Sequence, residues 1–117
     1  MNSPRKLLVT EKAVITALLQ GKVEAIPFID TLEDLVVNPM NDGAMGSLSL
    51  IPKGLENASR SFGHELVLGE FIDGDGVPVS LAVNVDDQGR LYELDVWKVT
   101  FSSLLVWPDP TDIKIVS

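Results

Sequence analysis

Glu93, Asp95 and Trp97 stand two residues apart and carry the most suggestive chemistry in the chain. On an extended strand they project from one face, because successive side chains alternate. Two carboxylates so placed fall near the separation of about 5–10 Å that glycosidases use across a sugar cleft. That reaction also needs a cleft and a carboxyl with a raised pKa, and no residue pattern here announces either. A second reading is a partner site, an aromatic anchor ringed by charge. A third is a solvated outer face with Trp97 packed under a helix or loop, since antiparallel sheets commonly leave one face in water.

The other constellations fail on their ligand or donor counts. Asp73-Gly74-Asp75-Gly76 opens like a calcium loop, but the fifth and twelfth positions, where an EF-hand needs an oxygen ligand and a bidentate Glu, are Val77 and Asn84. A hairpin turn is the better reading. His64 is the only histidine and there is no cysteine, so no zinc set, thiolate or disulfide can be assembled. His64 could be paired with several serines, yet no G-x-S-x-G elbow is present. The segment Asn41–Ser47 has two glycines three apart but neither G-x-G-x-x-G nor Gly-Lys-Ser/Thr. No catalytic residue, metal or cofactor is expected.

Charge points elsewhere. Between Glu65 and Asp112 stand ten carboxylates and two bases, Arg90 and Lys98, which account for the whole net charge of −8. The rest of the chain cancels. Such a field repels nucleic acid and anionic membrane and attracts cationic partners. The only adjacent basic pair, Arg5 and Lys6, is expected near a flexible tip. The apolar patch Leu7–Val9 is too short for a signal segment, and no stretch approaches the ~20 apolar residues of a membrane span. The expectation is a cytoplasmic protein forming one domain over residues 1–117.

Positioning these residues falls to a small α+β fold. Val14, Ile15, Leu18 and Leu19 repeat at helical spacing, with Thr10 as cap and Gly21 as stop, so a helix is predicted over Thr10–Gln20. A helical turn is placed around Glu24–Asp30, weakened by Pro27. Strands follow at Leu35–Val37, from Met45 to an end at Pro52, and in a meander of Phe62–Ile72, Val77–Val85 and Arg90–Thr100 joined by two Asp/Gly turns. Alternation predicts Val77, Val79, Leu81, Val83, Val85, Tyr92, Leu94 and Val96 on the core face, and Ser80, Ala82, Asn84 and Asp86 opposite the valines. Phe101–Trp107 and Ile113–Val116 are candidate edge strands. The fold predicted is an N-terminal helix on an antiparallel sheet of about five or six strands.

Two motifs carry a resemblance. NDGAMGSL (Asn41–Leu48) and the closing run ELDVWKVTFSSL (Glu93–Leu104) look like the DGxMGS and ELDxWKxxFSxL signatures of a small bacterial family of uncharacterised domains. Small acidic proteins of this build are similar to toxin-immunity proteins, which bind and silence one cognate toxin. The resemblance implies a non-enzymatic binding protein whose partner is a basic toxin domain, for instance a nuclease. Glu70, Asp86, Glu93, Asp95 and Trp97 are the expected contacts. The alternatives are an adaptor subunit that docks through a sheet edge or Trp107, and a hydrolase using the paired carboxylates.

Overall fold

The periodicities of the sequence become elements in the computed structural model, which describes residues 4–40 and 45–117. In chain order they are β1 (Arg5–Lys6), α1 (Val9–Gln20), a 3₁₀ helix (Val23–Asp34), β2 (Val36–Pro39), β3 (Leu48–Ile51), β4 (Phe62–Ile72), β5 (Pro78–Asp86), β6 (Leu91–Lys98), a 3₁₀ turn (Pro110–Asp112) and β7 (Lys114–Ile115). The strands form a single sheet of order β1-β2-β3-β6-β5-β4-β7, antiparallel throughout. It is an α+β fold, with seven strands because each edge ends in a strand of two residues. Arg5 and Lys6 are therefore not at a free tip. They pair with Val37 and Val36.

The stripe of α1 does what its spacing dictates. Val14, Ile15, Leu18 and Leu19 are all fully buried against β4 and β5. Thr10, the expected cap, lies inside the first turn. Leu8 occupies the cap position, and Glu11 caps in its place: Oε1 accepts from the Leu8 N–H at 2.9 Å, which satisfies a donor the helix itself cannot. Arg5 then forks onto the same carboxylate, with two N–H donors at 2.9 Å each. After Gly21 the chain winds more tightly. Pro27 has no N–H to give an α-turn and its ring crowds the preceding carbonyls, so Val23–Asp34 runs as 3₁₀ turns that bury Ala25 and Leu32.

The meander forms as predicted, with Gly76 and Gly89 supplying the positive φ of its two turns (80° and 78°). Val79, Leu81, Val83, Leu94 and Val96 face α1 and are 1% exposed or less. Tyr92 does not join them. Asn84 pairs with Glu93 but Val85 pairs with Leu91, so Tyr92 is the extra residue of a β-bulge. One inserted residue inverts the alternation beyond it. Leu91 turns inward and Tyr92 outward. Phe101–Trp107 does not form a strand either: the N–H groups of Leu105 and Val106 are taken by the Asp73 carboxylate, which leaves no ladder to extend.

Candidate functional site

Among the described residues the helices pack on one face of the sheet, and register fixes what stands on the other. Residues directly opposite across paired strands share a face. Asn38 pairs with Ser49, Ser49 with Glu93, Glu93 with Asn84 and Asn84 with Glu65. One polar row thus crosses five strands. Next to it run Asp95, Ala82 and Leu68, and then Trp97, Ser80, Glu70 and Lys114. Glu93, Asp95, Trp97 and Glu70 therefore share the outer face. Trp97 and Glu70 are two strands apart, about 10 Å.

Trp97 is not covered by the helix or by a loop; 44% of it is exposed. Its only ring partner among the described residues is Phe101, edge-on at 4.7 Å between centroids and 83° between planes. Phe101 sits in the left-handed region at φ 59°. That conformation costs an L residue about 1–2 kcal/mol, yet the ring it presents is 65% exposed. Val99, Leu105 and Val106 on the same loop are more than half exposed as well.

A buried ion pair holds this apolar loop in place. Lys98, wholly buried, reaches Asp73 at 2.7 Å and Asp75 at 2.8 Å and donates to the Ser103 carbonyl at 3.2 Å. Burial would push the Asp73 carboxyl up. The N–H of Leu105, the Lys98 ammonium and the N–H groups of Gly74 and Val106 together pull it down to about 2. The turn read as a failed calcium loop is in fact the clasp of residues 99–106. The parity of β6 carried a signal for this, because Lys98 follows Leu94 and Val96 on the inward face, and a lysine there needs a buried acid.

Asp86 is placed differently from the sequence expectation. It is 1% exposed, and its carboxylate is spent on Arg60 at 3.1 Å, Arg90 at 3.2 Å and the N–H groups of Gln88 and Arg90. Burial acts to raise its pKa, but the Arg90 and Gln88 N–H groups and the Arg60 guanidinium hold it below the usual carboxylate range. It builds the β5–β6 turn and offers nothing to a partner. Trp107 is also engaged. Its indole N–H donates to the Thr10 carbonyl at 2.9 Å, and its ring lies over Gly46, whose φ of 102° and absent Cβ (3.1 Å from the ring if present) admit it. Of the segment Asn41–Ser47, residues 41–44 lie outside the described ones. Ser47 carries the pairing to β6 through its hydroxyl, which accepts from the Val96 N–H at 2.9 Å.

Among the described residues no three His, Cys, Asp or Glu side chains converge on one point, and no helix is long and apolar enough to cross a membrane. Beside Glu93, however, is a cavity of about 250 Å³ whose walls include Asn38, Ser49, Tyr92 and Glu93. Asn38 and Ser49 were missed in the sequence, because nothing in it fixed the register of β2 and β3.

These features define an α+β protein with helices on one side of its sheet and a polar, partly aromatic surface on the other. The family model described as "Domain of unknown function (DUF6984)" matches residues 4–108, and the chain belongs to that family. No curated protein and no solved structure matches it.

Proposed function

We propose that this chain is a non-enzymatic binding protein whose outer sheet face engages a basic protein partner, and that the partner is a bacterial toxin domain which it silences. One observation carries the reading. An exposed Trp97, braced edge-on by a Phe101 held in a costly backbone conformation, stands beside Asp95 and Glu93 on the uncovered face. Backbone strain persists where the surrounding structure over-determines it, and it gathers at functional sites. Aromatic anchors with charged rims are the usual composition of binding hot spots. The immunity reading adds the acidic balance of −8. An anionic face matches a cationic nucleic-acid-cleaving site and speeds its capture.

Two measurements test it. The first is co-expression with the protein encoded next to it, scored as rescue of growth. The second is the affinity of the purified pair for wild type and for Glu93→Lys/Asp95→Lys, with circular dichroism as folding control. Rescue by wild type and its loss in the folded double variant are the expected results. Unchanged affinity would remove this face.

A further inference from the structure

The cavity beside Glu93 joins two carboxylates, Glu56 and Glu93, and the polar Asn38 and Ser49 to an apolar wall that includes Met40, Ile51 and Leu55. Asn38 Oδ1 is buried and has no hydrogen-bond partner. A buried acceptor left unpaired costs about 1–3 kcal/mol, and native folds keep few of them. Glu93 faces the same space with one oxygen already fixed. Asn84, itself 5% exposed, donates to Glu93 Oε1 at 3.0 Å and so sets the orientation of the carboxylate while leaving Oε2 free. Ser49, between Asn38 and Glu93 in the row, adds a hydroxyl, and Glu56 adds a second carboxylate at the rim.

The one cation in the wall is turned mainly toward the protein, with 7% of its side chain exposed. Arg60 is committed to Asp86, to the Leu91 carbonyl at 2.8 Å and to the Leu50 carbonyl at 2.7 Å. It also stacks on the Tyr92 ring, with its guanidinium carbon 5.2 Å from the centroid. Asp86, which it shares with Arg90, offsets part of its charge. The occupant this inventory calls for is cationic, rich in donors and small.

We propose that the cavity receives one guanidinium group, that of an arginine side chain presented by the basic partner; this rests on the binding reading above. A guanidinium has five N–H donors in a rigid plane and no acceptor. It can place a donor on Glu93 Oε2 while its plane lies along the apolar wall, which an ammonium, a compact point charge, does less well. At about 250 Å³ the space lies below the ~300 Å³ at which pockets for drug-sized ligands begin, and it suits a single side chain.

The probe is N-acetyl-arginine amide, titrated into the isotope-labelled full chain and followed by NMR. Saturable shifts at Asn38, Ser49 and Glu93 are expected, with weaker binding of N-acetyl-lysine amide. Glu93→Gln keeps the bond from Asn84 but loses the charge, and should weaken the probe about tenfold. Absence of saturable shifts, or equal shifts in Glu93→Gln, overturns the site. If the probe fails while Glu93→Lys/Asp95→Lys still weakens partner binding, the face stands and the socket falls. If the probe saturates but Glu93→Gln leaves partner affinity unchanged, the assignment to a partner's arginine is overturned in favour of a free guanidino compound.

Discussion

Asp73 shows how a carboxylate that reads as solvent-facing charge can be structural. It accepts from Lys98, Gly74, Leu105 and Val106 at once, so replacing it by Asn strands the Lys98 ammonium with Asp75 as its only acid. Breaking a buried pair from one side is costly because the other charge remains. Asp73→Asn should destabilise by about 3 kcal/mol, read by denaturant unfolding, and the amides of Leu105 and Val106 should exchange faster than the core amides. A pH dependence accompanies it. The carboxyl is held at about 2, against 3.8 for the free group, so the folded state resists protonation more than the unfolded chain does. Its contribution is complete above about pH 4 and drains away as pH falls toward 2. A wild type no more acid-labile than Asp73→Asn over that window would sink the clasp. Sequence alone exposed half of this, since the inward parity of Lys98 on β6 was legible, whereas its partner was hidden in a turn rich in Asp and Gly.

Elements were legible where a period repeats and illegible where one residue breaks it. The four buried apolar residues of α1 and the inward face of β5 (Val79, Leu81, Val83 and Val85) follow directly from 3.6- and 2-residue spacing. The bulge at Tyr92 does not, because a single extra residue leaves no compositional trace while inverting the face. Residues 101–107 look like a strand by composition, yet a tertiary acceptor, Asp73, claims their N–H groups. Packing makes two quantitative tests possible. Leu94→Ala empties a fully buried site under α1 and should cost about 2–5 kcal/mol. Gly69→Ala would set a Cβ 2.6 Å from Leu18 Cδ2 and 3.0 Å from Ile113 Cγ2, an overpacking that should cost about 1–3 kcal/mol. Thermal or urea unfolding measures both, and a neutral Gly69→Ala would show that α1 rides more loosely on β4 than the structure has it.

At the scale of the molecule, the net charge of −8 divides into two kinds. Asp73, Asp75 and Asp86 are spent on Lys98, Arg60 and Arg90, and Asp109 caps the turn at Thr111. Glu65, Glu70, Glu93 and Asp95 remain on the outer face, with Lys114 opposite Glu70. Long-range field and contact energy should therefore separate in kinetics. Reversing Asp95 alone removes field and leaves Glu93 in place, so Asp95→Lys should slow association with the partner. The gap should close as salt rises toward about 1 M, where the Debye length is about 3 Å. Trp97→Ala removes an anchor instead. It should raise the dissociation rate and cost about 2 kcal/mol or more, roughly thirtyfold in affinity. Phe101→Gly is the sharper variant, because glycine adopts φ 59° without strain. Stability should stay within about 0.5 kcal/mol while dissociation quickens, a pairing that a purely structural role for the ring would not produce. Surface plasmon resonance at low and high salt reads both rates. A folded Phe101→Gly that dissociates as slowly as wild type would move the contact away from the Trp97–Phe101 pair, toward the segment Asn41–Ser47.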